Sequence, residues 1–449
     1  MEEYLINIHM VSLGCDKNLV DSEAMLGLVR QAGYGIVNEP DCADVIIVNT
    51  CGFISEAVRE GISVVLEMSR YKTSGVCKAL IITGCMATRY KNDILSQLPE
   101  IDAVLGTHEL NKVTDVIKRI FKTAPVTPAK TPLYDGEDLY INRVLSTHTG
   151  YAYLKIAEGC DNHCTYCTIP QIKGPYKSRS MGSLLAEAGN LADRGVRELV
   201  LVAQDTTQYG KDIYGKPALD ILLHNLSQIP NIDWLRIMYA YPENITNALI
   251  SEMAGNNKIC RYLDMPVQHA SDSVLANMGR RSTEADLRGL VSRLRELLPG
   301  IALRTTLMTG FPGETERDFA VLLKFVEDMR FDRLGVFAFS REEGTPAYSM
   351  RDQASEKQKK IRRDKILKKQ EGISLNNNTE FISQTLKVLT EGRIPEGDGF
   401  VYCGRSYRDC PENDGMIFFT SSDEIISGEF VDVLITEAYE HDLYGRSKS

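Results

Sequence analysis

Residues 45–51, VIIVNTC, are a short run of mostly apolar residues that ends at a cysteine. The same arrangement occurs before it at residues 9–15, HMVSLGC, and after it at residues 80–85, LIITGC. Segments with the pattern of amphipathic helices lie between the runs, at 21–32 and at 55–70. Short apolar strands that alternate with such helices are typical of a parallel sheet buried on both faces. The sequence therefore predicts an N-terminal parallel α/β domain.

The most specific signal is a loop of three cysteines in the middle of the chain: Cys160, Cys164 and Cys167. Their spacing is C-x3-C-x2-C, and the loop directly follows a predicted strand at 153–157. Three thiolates on a tight loop can bind three irons of a four-iron cluster and leave the fourth iron without a protein ligand. An open iron can chelate a substrate, and this spacing is typical of radical S-adenosylmethionine enzymes. The alternative is a structural zinc site with a fourth ligand such as His163.

Each N-terminal run also ends at a cysteine, and these are Cys15, Cys51 and Cys85. Because parallel strands align their carboxyl ends at one edge of a sheet, we expect the three sulfurs to converge there. A glycine flanks each cysteine and gives the backbone room to wrap around a cluster: Gly14, Gly52 and Gly84. The alternative is three ordinary buried cysteines, which are common in cores. Their matching positions instead predict a second, auxiliary four-iron cluster with one open iron.

The middle segment, about residues 151–350, again alternates strands and helices. Six strands are predicted, centred near Leu154, Val200, Ile237, Leu263, Thr305 and Val336. Six βα units would form a partial, open barrel, whose binding sites lie at the carboxyl ends of the strands. Four residues at such ends are candidate contacts for S-adenosylmethionine: Gln204, Asp205, Gly310 and Gly313. A polar side chain could meet the amino group of the methionine moiety, and a glycine would let a ligand approach the backbone.

The rest of the chain differs from these two α/β segments. A basic helix is predicted at 355–371, with Ser355 as its N-cap. Four short strands are predicted after residue 375, at 385–389, 399–403, 416–420 and 430–435, with Gly, Asn and Asp in the turns between them. This pattern predicts a small all-β barrel. Several prolines between the two α/β segments indicate a linker. The predicted domains are 1–121, 151–375 and 376–449, with the linker at 122–150.

The composition restricts the class of protein. The chain has 449 residues, 11 cysteines and a net charge of −10. Its apolar runs are far shorter than the roughly 20 residues of a membrane span, and no secretory signal is visible. We therefore expect a cytoplasmic protein, where an odd number of cysteines favours metal binding over disulfide bonds. The acidic charge argues against a general nucleic-acid-binding protein, since Lys and Arg provide the affinity for phosphates.

With both cysteine sets in place, the sequence resembles the methylthiotransferase family over nearly its full length. Members of that family join an N-terminal three-cysteine domain, a radical core and a C-terminal barrel called TRAM. The resemblance implies two four-iron clusters and two uses of S-adenosylmethionine. One molecule would methylate a sulfur held by the auxiliary cluster, and the other would yield the radical that removes hydrogen from a substrate carbon. That carbon then captures the methylthio group. An electron donor such as a flavodoxin is also implied.

The family has two main branches. One modifies a tRNA adenosine, and the RimO branch modifies the β-carbon of an aspartate in ribosomal small-subunit protein twelve. Residues 12–23, SLGCDKNLVDSE, resemble the RimO branch, because the tRNA branch typically has Gln-Met in place of Asp16 and Lys17. Residues 262–269, YLDMPVQH, occur in a form common to the whole family.

The charge of the C-terminal domain bears on the same choice. From residue 373 to the end there are 14 acidic and 6 basic residues, a net of −8 out of −10. A barrel that binds tRNA should be basic, whereas an acidic one suits a basic ribosomal protein. The alternative is that the acidic surface only keeps the domain soluble. The predicted partner is therefore ribosomal protein twelve, free or on the ribosome, rather than tRNA. The basic helix at 355–371 is interpreted as a solvated connector, with contact to ribosomal RNA as the alternative.

Overall fold

The structure is a computed structural model of the chain and describes residues 5–121, 139–147, 150–395 and 400–448. Residues 122–138 and 148–149 of the predicted linker lie outside the described residues. The chain forms two compact units. The first comprises Met1–Ser146, Ala157–Asn162 and Cys167–Asn190, and the second comprises Thr147–Ile156, His163–Tyr166 and Leu191–Ser449.

The first unit contains a sheet of five parallel strands: β1 (Asn7–Ser12), β2 (Gly35–Ile36), β3 (Val45–Thr50), β4 (Ala79–Gly84) and β5 (Ala103–Leu105). Their spatial order is β2-β1-β3-β4-β5. The accompanying helices are α1 (Asp16–Gln31), α2 (Ser55–Ser69), α3 (Tyr71–Ser74), α4 (Cys85–Arg89), α5 (Lys91–Gln97) and α6 (Val113–Phe121). Ile47 of β3 packs in a cluster with α1 and α6, and Ile46 packs in another with α2 and α5. The predicted parallel α/β domain with both sheet faces buried is confirmed.

The first unit also includes the chain on either side of the cysteine loop. A two-residue strand β7 (Ala157–Glu158) pairs antiparallel with β8 (Lys177–Ser178), and the short helix α7 (Ile169–Lys173) lies between them in the chain. Buried ion pairs join Arg143 to Glu23 of α1 and to Glu187 of the next helix, α8 (Met181–Asp193). This segment therefore contributes side chains to the same unit as the N-terminal sheet.

The second unit contains a sheet of six parallel strands, at the six predicted places. They are β6 (Tyr151–Lys155), β9 (Glu198–Val202), β10 (Trp234–Ile237), β11 (Ile259–Asp264), β12 (Ala302–Thr309) and β13 (Arg333–Ala338), in the order β13-β12-β11-β10-β9-β6. The helices between them are α9 (Lys211–Tyr214), α10 (Leu219–Ser227), α11 (Asn247–Gly255), α12 (Asp272–Asn277), α13 (Glu284–Leu297) and α14 (Glu316–Met329). The sheet order has two ends, in agreement with the predicted open barrel.

The basic helix is α15 (Glu356–Thr379), and the Ser355 hydroxyl accepts a hydrogen bond from the Gln358 backbone N–H at 3.2 Å. The cap is as predicted, but the helix continues beyond residue 371. A closed five-stranded barrel follows: β14 (Thr385–Ile394), β15 (Phe400–Arg405), β16 (Ile417–Ser421), β17 (Phe430–Ala438) and β18 (Leu443–Ser447). The sequence pattern missed β18, because LYGRS is no apolar run. None of the helices in the described part of the chain is long and apolar enough to cross a membrane.

Buried ion pairs fix one loop of the barrel, residues 405–414, against the six-stranded sheet. Arg405 lies 2.8 Å from Glu198 at the start of β9, and Asp414 lies 3.3 Å from Arg304 of β12. The side chains in these pairs are at most 16% exposed. Some of the acidic residues counted in the C-terminal domain are therefore neutralised inside the protein and do not contribute to its surface charge.

Candidate functional site

The three N-terminal cysteines lie at the carboxyl ends of three adjacent strands. Ser12 of β1 is aligned with Asn49 of β3, and Thr50 of β3 is aligned with Gly84 of β4. One cysteine follows each of these strand ends: Cys15 is the N-cap of α1, Cys51 directly follows β3, and Cys85 is the first residue of α4. Their exposure decreases in that order, from exposed through half-buried to buried.

Glycines allow these three loops to touch. A Cβ atom on Gly14, whose φ is +94°, would lie 2.9 Å from the Cys51 Cβ. A Cβ atom on Gly84, whose φ is also +94°, would lie 2.9 Å from the Thr50 backbone nitrogen and would overlap the Thr50 carbonyl oxygen. On Gly52 it would lie 2.6 Å from a backbone nitrogen of α4. Real Cβ atoms do not approach so closely, so larger residues would force the cysteine loops apart.

One buried amide, that of Asn18, connects all three loops. Its Nδ2 donates to the carbonyl oxygens of Leu13 at 3.1 Å and Thr50 at 3.2 Å, and these residues lie just before Cys15 and Cys51. Its Oδ1 lies 3.7 Å from the Sγ of Cys85, which donates to it as a thiol. Asn18 lies in the family motif at residues 12–23, but the motif alone predicted no role for it. Its position three residues after Cys15 was the available signal.

The protein environment opposes charge on two of these cysteines, Cys51 and Cys85. Burial raises the pKa of Cys85 to about 12, while the nearby ammonium of Lys173 lowers it and Cys15 and Cys51 raise it further. Burial is also the main cause that raises the pKa of Cys51. Thiolates crowded in this way need a positive partner, and a metal cluster that binds them as it deprotonates them supplies one.

The buried Lys173 is the cation that α7 contributes to this region. Its Nζ lies 3.1 Å from the carboxylate of Glu158 and 3.4 Å from that of Asp21. Both its own side chain and that of Asp21 are almost fully buried. This contact could not be predicted from the sequence, because residue 173 is distant in the chain from the cysteines beside it.

The three cysteines supply the donor chemistry of an iron–sulfur cluster. Within the described ranges, no three His, Cys, Asp or Glu side chains are grouped closely enough to hold one metal ion. In a four-iron cluster each thiolate binds a different iron, so its ligands stand further apart than those of one ion. Soft thiolates are also the ligands that iron–sulfur clusters select. The glycine clearances and the three sulfurs are consistent with such a group.

The cysteine loop of residues 160–167 has a different structure. All three of its cysteines are half-buried, and His163 is exposed. Backbone N–H groups donate to two of the sulfurs: Asn162 to Cys160 and Ile169 to Cys167, each at 3.4 Å. These bonds favour the thiolate form, as expected for metal ligands on a tight loop.

The third sulfur of this loop has a side-chain partner that the sequence did not reveal. The Sγ of Cys164 lies 3.5 Å from the hydroxyl oxygen of Tyr241, which follows β10. The pKa of Tyr241 is raised, mainly by burial. The charge of Arg280 lowers this pKa, and Cys164 raises it.

The candidate S-adenosylmethionine contacts all lie after the carboxyl ends of β9 and β12. Gln204 is half-buried, and no described heavy atom lies within 4 Å of a Cβ built on Gly313. Asp205 accepts hydrogen bonds from the Thr207 backbone at 3.1 Å and from another side chain at 3.2 Å, so its carboxylate already has a structural role. A Cβ on Gly310 would overlap the side chain of Lys359. Gln204 and Gly313 therefore have more room for a ligand than the other two.

Three family descriptions match this chain. Residues 7–106 match Uncharacterized protein family UPF0004, residues 154–326 match the Radical SAM superfamily, and residues 382–447 match the TRAM domain. Among solved structures, the radical S-adenosylmethionine methyltransferase TsrM from Kitasatospora setae, with cobalamin and a [4Fe-4S] cluster bound, has a TM-score of 0.55 at 14% identity. The match covers 77% of this chain and 74% of that one, and it shows a shared fold.

Curated relatives match almost the whole chain. The ribosomal protein uS12 methylthiotransferase RimO of Lachnoclostridium phytofermentans is 50% identical over 443 residues, 99% of this chain and 100% of the relative. The RimO proteins of Pelotomaculum thermopropionicum and Acetivibrio thermocellus are 48% and 47% identical, each over 98% of this chain and at least 97% of their own length. This chain therefore belongs to the RimO family of radical S-adenosylmethionine methylthiotransferases.

Proposed function

We propose that this protein transfers a methylthio group to the β-carbon of an aspartate in ribosomal protein uS12. The observation that carries the proposal is that one chain combines two sets of three cysteines, one on the radical loop and one on three glycine-lined loops at a sheet edge. A single radical cluster would explain hydrogen removal but would leave the second set without a use. The full-length relatives named for the modification of uS12 identify the substrate class.

Two four-iron clusters are part of this proposal. Cys160, Cys164 and Cys167 would bind the one that reduces and cleaves S-adenosylmethionine, and the N-terminal cysteines would bind the auxiliary one. When bound, the clusters supply an electron for the cleavage and an iron site for the sulfur to be transferred. The chain itself aligns the ligands: β1, β3 and β4 align the N-terminal cysteines, and Asn18 connects their loops.

The remaining groups of the site would orient S-adenosylmethionine. Gln204 would offer a side-chain amide to the methionine moiety, and the open space beside Gly313 would let the ligand approach the backbone. Asp205 would keep the turn after β9 in place through its bonds to Thr207 and Asn244, beside the amide of Gln204. Gly310, in the turn after β12, would make room for the side chain of Lys359.

The acidic barrel would contact the substrate protein. Asp423, Glu424 and Glu429 are exposed, in contrast to the buried Asp409, which pairs with Arg333. Exposed carboxylates that form no ion pair within the described residues attract a basic partner and repel RNA phosphates. We propose uS12 as that partner, either free or on the ribosome, and a flavodoxin-like protein as the electron donor.

Mass spectrometry of uS12 tests this function. The reconstituted protein, with S-adenosylmethionine and a reductant, should give uS12 one methylthio group on an aspartate. The Cys15→Ala/Cys51→Ala/Cys85→Ala variant should still form 5′-deoxyadenosine but should leave uS12 unmodified. Cys42→Ala, which changes an exposed cysteine of the same unit, is the matched control and should give normal product. Methylthiolated tRNA with unmodified uS12 would overturn the proposal.

A further inference from the structure

We infer that Tyr241 is a positioning residue for the radical cluster: its hydroxyl donates a hydrogen bond to the sulfur of Cys164 and makes the cluster easier to reduce. The two atoms are 3.5 Å apart, within the range for a hydrogen bond to sulfur. Both residues belong to the second unit. The inference rests on the proposed function, because it requires Cys164 to be an iron ligand.

The direction of this bond follows from the chemistry of the ligand. In a free thiol, either the sulfur or the oxygen could be the donor. A cysteine bound to iron is a thiolate and has no proton left to donate. A tyrosine hydroxyl, with an ordinary pKa of about 10, keeps its proton at neutral pH. In the loaded protein the bond is therefore O–H to S, from Tyr241 to Cys164.

The ring of Tyr241 is held in place. The guanidinium of Arg280 lies 3.8 Å from the ring centroid, and both side chains are more than nine-tenths buried. Arg280 is itself fixed by a 2.7 Å hydrogen bond to the Pro266 carbonyl and by Glu243 at 4.0 Å. A buried ring with a cation over its face keeps its hydroxyl oxygen beside the sulfur.

The sulfur is held equally well from its own side. The Thr165 backbone N–H donates to the Met278 carbonyl at 3.0 Å, and the Thr165 hydroxyl donates to the Asn277 carbonyl at 2.7 Å. A Cβ on Gly279 would lie 2.9 Å from the carbonyl oxygen of His163, so these two segments are in close contact. The distance between the hydroxyl and the sulfur is therefore set by two fixed segments.

Such a bond should change the redox behaviour of the cluster. A donor to a ligand sulfur offsets part of its negative charge and so stabilises the reduced state, which carries one more electron. The buried positive charge of Arg280 acts in the same direction. Cleavage of S-adenosylmethionine begins with reduction of the cluster, so this stabilisation promotes the first step.

A redox titration followed by electron paramagnetic resonance tests the inference. Tyr241→Phe keeps the ring and its stacking and removes only the hydroxyl. We expect the reduction equilibrium of the radical cluster to become about tenfold less favourable, a shift of about 59 mV to lower potential. Tyr262→Phe is the matched control, since it removes a buried hydroxyl that donates to Asp414 at 2.7 Å. The control should leave the potential unchanged.

The titration is made both in the full protein and in the variant that lacks Cys15, Cys51 and Cys85, where only the radical cluster is measured. If the variant that lacks Cys15, Cys51 and Cys85 binds no cluster, the proposal that Cys160, Cys164 and Cys167 bind the radical cluster is wrong. If the cluster is present but Tyr241→Phe does not shift its potential, or the control shifts it equally, the inference about Tyr241 fails. A fluorinated tyrosine at position 241 is a stronger donor and should shift the potential upward, so the test remains decisive even if Tyr241→Phe does not fold.

Discussion

The two cysteine sets of this protein are built in opposite ways. Cys160, Cys164 and Cys167 lie within one loop, and their spacing alone limits how far apart the sulfurs can be. Cys15 and Cys85 are distant in the chain and become neighbours only because three parallel strands align their ends. The first kind of site depends on its ligands and a few nearby contacts. The second depends on how closely the backbones of the three cysteine loops approach one another at the edge of the sheet.

The largest effect that this comparison predicts comes from the radical loop. The variant Cys160→Ala/Cys164→Ala/Cys167→Ala should abolish the formation of 5′-deoxyadenosine, because no iron is left to bind S-adenosylmethionine. Iron should fall from about eight to about four per chain after anaerobic reconstitution. Cys403→Ala, outside both sets, is the control and should retain both properties. Retention of full iron by the triple variant would show that this loop binds no cluster.

The second prediction concerns backbone clearance at the auxiliary site. Gly84→Ala places a Cβ against the Thr50 backbone at φ +94° and should separate the loops of Cys51 and Cys85. We expect loss of most of the auxiliary iron and of methylthio transfer, with cleavage of S-adenosylmethionine retained. Gly189→Ala is the control: it lies in α8, where no described heavy atom is within 4 Å of the new Cβ.

The Gly189→Ala control should also differ from Gly84→Ala in its free energy of unfolding, measured by thermal unfolding. Alanine in place of a helical glycine is expected to stabilise the fold by about 0.5–1 kcal/mol. If Gly84→Ala bound as much iron as the parent, the close approach of the loops would not matter for the auxiliary site, and the contrast between the two cysteine sets would be lost.

The smallest effect should come from the barrel surface. The variant Asp423→Lys/Glu424→Lys/Glu429→Lys should lower the kcat/KM for uS12 roughly tenfold at low salt, because attraction of the basic partner is lost. The difference should shrink as salt rises, since exposed charges are screened beyond about 10 Å at 0.1 M. Cleavage of S-adenosylmethionine without substrate should not change. Asp212→Lys/Glu296→Lys, which reverses two charges on other parts of the second unit, should have almost no effect. If it produced about two thirds of the free-energy change of the triple variant, net charge alone would account for the result.

The sequence located the strands better than the helices. The helix after Cys15 was expected from residue 21, but α1 begins at Asp16. Its first turns carry polar residues that are buried, such as Asn18 beside the cysteine loops and Glu23 in an ion pair with Arg143. Because these polar side chains face the protein interior, the amphipathic pattern used for the prediction is absent there. Tertiary contacts decided the start of this helix.

By itself, the sequence determined the two cysteine sets, the six βα units, the cap of the basic helix and the family resemblance, since spacing and periodicity are properties of the covalent chain. Only the tertiary structure decided which side chains reach those cysteines. Asn18, Lys173 and Tyr241 lie on three different elements, and each is placed by packing over long distances in the chain. Burial also decided which acidic residues of the barrel count as surface charge, because Asp414 pairs with Arg304 inside the protein whereas Asp423, Glu424 and Glu429 are exposed. The sequence specifies the charges and the spacing of the residues, and tertiary packing determines which side chains come into contact.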